Sequence, residues 1–358
     1  MDKTDLLIKN YKKSQIRFRN VMVLLSLLMA AIFTVGLSVA QYPITFSETI
    51  KILIDNLNNT VDIETYDDWI KNEIVINMNI PRLITGMCIG LILSVSGAIM
   101  QITVRNPMAD PFTTGISSGG LLGASLFIAY GICLIPTLTG NTAIIVNAFI
   151  FSLIPTAIIM LVTSFKKNIS PTMMILTGIG VMYIFSASSS LIRYLADPTK
   201  GAEIYRWSLG SLGKVTWDNL YMVVIAAFVA IIAGILLSSK MNTLSQGDVV
   251  ATSMGLNVRR LRLISLIICA LVTAVTVALA GSIGFVGLVC PHIAHALIGR
   301  NNKLVVPCAA IVGMVMLVGC DIVSKVILTY GLPVGAVTAL IGSPIFIYML
   351  IKSKKQSW

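Results

Sequence analysis

Charge is scarce in this sequence. Only 11% of its 358 residues are Asp, Glu, Lys or Arg, against about a quarter in an ordinary soluble domain, while 56% are hydrophobic and the mean hydropathy is +0.90. That excludes a soluble enzyme and predicts an all-α polytopic membrane protein. Carboxylates are rarer still where they would be costly. Asp110, Asp197, Asp218, Asp248 and Asp321 all fall at or beyond the ends of apolar runs, so no buried file of acids marks a proton or sodium path and an ion-coupled secondary transporter is the weaker alternative. Histidine numbers two, His292 and His295. With Cys290 they form CPHIAH, two imidazoles three apart on a helix. A closed zinc site needs more ligands than that, and none is assigned; the same shortage argues against an intramembrane metalloprotease. The six cysteines, Cys88, Cys133, Cys269, Cys290, Cys308 and Cys320, make no CxxC pair and read as buried hydrophobes. Also missing is a phosphate loop. Gly210 to Lys214, GSLGK, has Ser208 where a Walker A glycine belongs and Val215 where a Ser or Thr should hold magnesium. No catalytic residue and no cofactor is therefore assigned, and any ATP must be used by a partner subunit.

What is present is a series of long apolar runs. Segments able to cross about 30 Å of hydrocarbon are predicted at residues 22–40, 83–104, 113–135, 142–164, 172–195, 219–238, 262–281, 283–298, 304–320 and 332–351. The first follows a basic tail with no small-residue cleavage site and is kept as a span. With the N-terminus inside, 18 of the 26 lysines and arginines but only four of the 15 acids fall on inner segments. The positive-inside rule is met, both termini are expected in the cytosol, and the net charge of +11 reports topology, not nucleic acid. The expected organisation is a cytosolic tail at 1–21, one membrane domain at 22–351 and a cytosolic tail at 352–358. Within the domain, 41–81 is an acidic outer segment with an amphipathic part near Ile50 to Leu57. The second to fifth and seventh to tenth spans enter from opposite sides, an arrangement compatible with inverted repeats.

Two glycine clusters interrupt this pattern. Gly86, Gly90, Ser94 and Gly97 recur at about four-residue spacing, which lets a second helix approach closely, within this chain or in another. Gly281, Gly284 and Gly287 mark a tight reversal between the seventh and eighth spans.

The main polar interruption of the second half is Lys240 to Arg262, KMNTLSQGDVVATSMGLNVRRLR. Ser245 to Asp248 has the spacing of a capping box and predicts a short helix start. Gly255 supplies a left-handed stop. Asn257 can cap a second helix carrying Arg259, Arg260 and Arg262. Two short helices on the cytosolic side, or a solvated connecting loop, are the two readings that spacing permits.

Several stretches together resemble the FecCD family of ABC importer permeases. Asn106 to Ala124, NPMADPFTTGISSGGLLGA, resembles the family's NPLADP segment and the LGISSGA that follows. Residues 240–262 resemble LNLLSLGDETARSLGVNVRRLR, Ala280 to His292 resembles AGPIGFVGLIVPH, and Leu332 to Pro344 is similar to LPVGIVTALIGAP. The resemblance covers residues 81–351. It implies a subunit of ten helices in the cell membrane, paired with a second copy or a homologue, resting on two cytosolic ABC ATPases and loaded by an extracytoplasmic solute-binding protein. It implies import of an iron chelate such as a siderophore, with haem or cobalamin as alternatives, by ATP-driven alternating access. It assigns ATPase coupling to Ser245, Gly247, Asp248, Gly255 and Arg259, with Val249 and Thr252 standing where the family has an acid and an arginine. It also assigns binding-protein docking to Arg82 and Lys325, with Asn79 at a usually basic position, and the cytoplasmic gate to Asn106, Met108, Pro171 and Thr172.

Overall fold

The computed structural model describes residues 3–352 except 62, 64, 165–170 and 328–330. Asp62, Glu64, Lys166, Lys167, Lys354 and Lys355, with most of the C-terminal tail, lie outside the described residues. Among those described, every regular element is helical and there is no strand. Outer and inner below denote the sides assigned by the lysine and arginine distribution.

Among the described residues seven helices are long and apolar enough to cross a membrane, and three shorter apolar ones complete the expected ten. The long ones are α1 (Lys3–Ser38), the continuous run from Tyr66 to Thr103, α6 (Gly140–Ser164), α7 (Pro171–Leu195), α9 (Trp217–Leu244), α11 (Val258–Ala280) and α13 (Asn302–Val326). The short ones are α5 (Ile116–Tyr130), α12 (Val286–Ile298) and α14 (Val334–Lys352). Outside them lie α2 (Phe46–Asn58), α8 (Pro198–Ser208) and α10 (Asp248–Ser253).

Two predicted spans are corrected. The run expected at 113–135 does not form one helix. Asp110 accepts a hydrogen bond from Phe112 N at 3.0 Å and starts a 3₁₀ turn at Pro111–Thr114. Gly115 at φ 87° then breaks the direction before α5 begins. The 15 residues of α5 reach only about 22 Å at 1.5 Å each. The span expected to begin at residue 83 begins far earlier: α3 (Tyr66–Asn72) passes through a π-helical stretch, Glu73–Asn79, into α4 (Ile80–Thr103). Pro81, which has no N–H to offer the preceding turn, sits at the end of that wider winding.

The hub is α4. Every residue from Ile89 to Gln101 is buried, and α4 packs most extensively on α13, then on α9, α12 and α11. The predicted small-residue stripe makes this possible within the chain. A Cβ on Gly90 would collide with the carbonyl of Gly313, and one on Gly97 with that of Gly287. Between them Ser94 Oγ donates to Ala309 O at 2.6 Å. A second close pair joins α5 to α6, where Asn147, buried on α6, donates to Gly123 O at 2.8 Å and Ile132 O at 3.1 Å. The predicted reversal after α11 is present too. Gly281 (φ 78°) packs on Trp207 O, and Phe285 in the left-handed region opens α12.

The outer segment is more structured than a loop. Thr45 and Glu48 form a complete capping box at the start of α2, and Thr65 with Asp68 does the same for α3. Lys71 then ties the two helices, its ammonium 2.6 Å from Glu48 and 2.8 Å from Asp67, while Asn56 donates to Asn72 at 2.6 Å. On α2, Leu53 packs toward the cluster of Met29, Leu37, Leu83 and Val318. Phe46, Ile50, Ile54 and Leu57 are exposed on another face.

The hydrogen bonds of Lys71, then those of Thr45, hold the Glu48 carboxyl at about 2, below its ordinary 4.5. A depressed carboxylate contributes stability that is complete above about pH 4.5 and is lost as pH falls through about 2. In a variant retaining Trp69 as the single tryptophan, fluorescence of the outer segment should therefore titrate near pH 2, and Lys71→Met should move that midpoint up toward 4.5. Equal midpoints in the two proteins would refute the pairing.

Candidate functional site

The chemistry-bearing residues gather at the two ends of α4. At the inner end the stretch 240–262 departs from its predicted form. Ser245 is not a helix N-cap. It ends α9 in right-handed conformation, and its hydroxyl donates back to Asn242 O at 2.8 Å, because buried Leu237, Met241 and Leu244 carry α9 on past the predicted end of the span. The helix start falls instead at Gly247 (φ 113°), with Asp248 as the first residue of α10. Nor are there two short helices. α10 is six residues long, while the second helix is the beginning of α11 itself. Gly255 does stop α10 in the left-handed region at φ 81°, and Asn257 Oδ1 accepts from Arg260 N at 2.9 Å to cap α11.

Freed from capping, the Asp248 carboxylate faces two arginines. Arg262 Nη2 donates to its Oδ1 at 2.9 Å, and Arg105 Nη1 lies 3.8 Å away. Arg262 is buried, and its Nε donates to Thr103 O at 3.0 Å, at the end of α4. Sequence reading missed this, although Arg262 was visible as the last cation before an apolar run. The tip of α10 presents Val249 at 81% exposure and Met254 at 69%, rimmed by exposed Thr252, Ser253, Arg259 and Arg260. An apolar tip with a polar rim is the make-up of a protein contact surface.

Beside it lies the predicted gate. Arg105 adopts φ 48°, turning the chain so that Asn106 Oδ1 accepts from Met108 N at 2.9 Å, and Met108 stays half exposed. Ala109 and Met174 line one small cavity, which makes the segment after α4 a neighbour of the start of α7, where Pro171 is half-buried and Thr172 exposed. His292 Nδ1 hydrogen-bonds Leu288 O at 2.8 Å and its ring meets Phe346 edge-on. His295 Nδ1 is 3.1 Å from Gly299 O, and Cys290 Sγ packs 3.3 Å from Met316 Sδ.

At the outer end Arg82 and Lys325 come together around an anion. Arg82 Nε and Nη2 reach Asp321 Oδ1 at 2.9 and 2.8 Å, the carboxylate being 1% exposed. Lys325 Nζ donates to Asn79 Oδ1 at 2.8 Å and lies 3.8 Å from Asp321, with its side chain 6% exposed. Asn79 in turn donates to Leu37 O at 2.9 Å, closing the end of α1 onto α4. Both cations are already partnered within the chain, and only Arg82 keeps appreciable surface. Lys214 of the GSLGK stretch is tied down as well. Its ammonium donates to Trp207 O at 3.3 Å and lies over that indole, and burial lowers its pKa to about 8.

Helices long and apolar enough to span a bilayer, with a capped apolar knob beyond one end, are the frame of a polytopic membrane protein. The chain belongs to the FecCD transport family, whose model matches residues 27–352; members are multi-pass plasma-membrane permeases of ABC importers, which work with a partner ATPase and a binding protein. An ABC transporter permease protein of Methanocaldococcus jannaschii is 33% identical over 356 residues, covering 97% of this chain and 98% of that one. The hemin transport system permease of Yersinia pestis is 33% identical over 78% of this chain and 84% of its own. A solved metal-chelate type ABC transporter in an inward-facing conformation superposes with a TM-score of 0.79 at 26% identity, over 93% of this chain and 99% of that chain.

Removing one partner of a buried ion pair costs about 3 to 5 kcal/mol, because the other charge is left unpaired. Asp321→Ala should accordingly destabilise the detergent-solubilised protein by about 3 kcal/mol in thermal unfolding. The double variant Arg82→Met, Asp321→Leu should recover most of that loss. An unchanged unfolding temperature in Asp321→Ala would show that the cluster does not hold α4 to α13.

Proposed function

We propose that this chain is the membrane subunit of an importer for an iron chelate, pairing with a second permease subunit that is its own copy or a close homologue. Two cytosolic ATPases drive it, and a binding protein loads it from outside. ATP-driven movement of α10 opens and closes the inner mouth, so the pathway alternates between outward and inward access, with both termini in the cytosol. Nothing covalent happens to the substrate.

The observation that carries this reading is the tip of α10. Val249 and Met254 are exposed beyond the ends of the spans, where lipid tails cannot cover them, and the helix that displays them runs at once into α11. A docked cytosolic domain would cover that tip and gain a lever on the bundle. Coupling at Gly247, Asp248, Gly255 and Arg259 fits this arrangement, and Ser245 contributes by ending α9.

The substrate route follows from a contrast between helices. Between Met222 and Leu236 the exposed residues of α9 are all apolar, Met222, Ile225, Phe228, Val229, Ile232, Ile235 and Leu236, as lipid contact requires. The exposed face of α7 instead mixes the small and polar residues Thr172, Gly180, Ala187 and Ser190 with Leu176, Tyr183, Ile184, Leu191, Tyr194 and Leu195. Such a face suits a second subunit and a water-filled seam. Iron chelates as cargo are supported by the hemin permease and the metal-chelate type transporter among its relatives. On the outer side a binding protein would meet Arg82 before Lys325.

In vesicles holding the chain with its ATPase and binding protein, uptake of radiolabelled iron chelate should require ATP and survive collapse of ion gradients. Uptake that persists without the ATPase and fails with the gradient would sink the proposal. Val249→Arg should abolish co-purification of the ATPase while leaving insertion intact. A cysteine at Ala187 or Ser190 should react with a membrane-impermeant thiol reagent, whereas one at Ile232 should not; equal reactivity would remove α7 from the pathway.

A further inference from the structure

Three segments distant in sequence meet at Asp248. Its carboxylate belongs to the first residue of α10; Arg262 is in the second turn of α11; Thr103 is the last residue of α4. The Arg262 guanidinium spans the other two, Nη2 to Asp248 Oδ1 at 2.9 Å and Nε to Thr103 O at 3.0 Å, with its side chain only 3% exposed. Thr103 O is among the carbonyls that the end of α4 leaves without an intrahelical partner, and a cation there also faces the negative end of the helix. Arg105 contributes less. It stands 3.8 Å from the same carboxylate and is 40% exposed, so solvent screens it.

The backbone alone gives α10 little purchase on α4. It packs against α9 and α11, and both of its connections turn at glycine, Gly247 at φ 113° and Gly255 at φ 81°. Two such turns let the six-residue helix pivot about its one buried side chain, Ala251. The Arg262 fork is the directional restraint on that pivot, and it is anchored two residues before the bend at Arg105 that aims Asn106 and Met108.

We propose that Arg262 is a positioning residue that carries displacement of α10 to the inner mouth, by making α10 and the segment 104–110 move with the end of α4 as one body. The proposal rests on α10 being the element that the ATPase moves. Charge alone would not suffice. A lysine can supply one ammonium but not two divergent N–H groups in a fixed plane.

The test uses the assembled transporter in proteoliposomes, measuring ATPase co-purification, ATP hydrolysis, iron-chelate uptake and thermal unfolding for each variant. In Arg262→Lys the ATPase should co-purify and hydrolyse within about twofold of wild type, while substrate moved per ATP falls at least about tenfold, the size expected for a lost charge-assisted bond. Asp248→Ala should behave likewise and serves if Arg262→Lys fails to fold. Asp248→Asn, which keeps an oxygen at Oδ1 but gives up the charge, should lose less coupling than Asp248→Ala, and Arg105→Ala should stay near wild type. A normal transport-to-hydrolysis ratio in both Arg262→Lys and Asp248→Ala overturns the proposal. So does a parallel fall of hydrolysis, uptake and unfolding temperature, which would mark a purely structural role. Failure of the ATPase to co-purify even with the wild-type chain would overturn the assignment of α10 itself, and this proposal with it.

Discussion

The contact on which the rest of this fold depends is backbone against backbone: Gly90 of α4 on Gly313 of α13, and Gly97 on Gly287 of α12. Inside a bilayer the lipid tails are as apolar as leucine, so helices gain little from hiding hydrophobic surface and associate through close packing. Glycine at the crossing is what allows that packing. Because α13 and α12 approach so closely, α9 and α11 can close over the remaining faces, and α4 ends up buried along most of its length. A helix held that tightly makes a rigid strut between the two membrane surfaces. Both clusters of charge in the protein's ends are fastened to it, Arg82 with Asp321 at one terminus and Thr103 with Arg262 at the other.

Those clusters follow from the cost of charge near hydrocarbon. Arg82, Lys325 and Arg262 each have a specific acceptor within hydrogen-bond reach. In two of the three the cation is arginine, used bidentately or across two acceptors, as its planar donors permit. The consequence is that a basic residue near the outer mouth is not automatically a docking residue. Lys325 has been drawn inward by Asn79, which the π-helical turn before Pro81 places on the inner face of the helix. An amide at residue 79 accepts from Lys325 where a second cation would repel it, so the burial of Lys325 depends on Asn79.

How much of this was legible in the sequence depended on the range of the interaction. The ten apolar helices, the left-handed stop at Gly255 and the cap at Asn257 are local, and they were readable. The stripe from Gly86 to Gly97 was readable as a close approach, but its partners were not, since nothing near it in sequence names Gly313 or Gly287. The capping box at Ser245 failed for a definable reason: α9 is stabilised by burial up to Leu244, and that tertiary packing outweighs a cap worth about 1 kcal/mol. Asp248 then found a stronger partner 14 residues away in Arg262. The break at Gly115 was hidden by unbroken hydrophobicity, because a buried 3₁₀ turn satisfied by Asp110 and Thr113 looks in hydropathy like a span.

The same reasoning explains why the functional elements sit at the ends and not in the middle. A transport subunit needs two things, a rigid frame and places where the frame can yield. Here rigidity comes from glycine-enabled contacts in the membrane interior, where unpaired polar groups are costly. Yielding comes from glycines in the opposite role, Gly247 and Gly255 flanking α10, where a positive φ is tolerated without strain. One residue type thus supplies both the closest packing and the loosest joints. What distinguishes a joint that transmits motion from one that dissipates it is whether a directional bond bridges it, and the Arg262 fork from α10 to the end of α4 is such a bond.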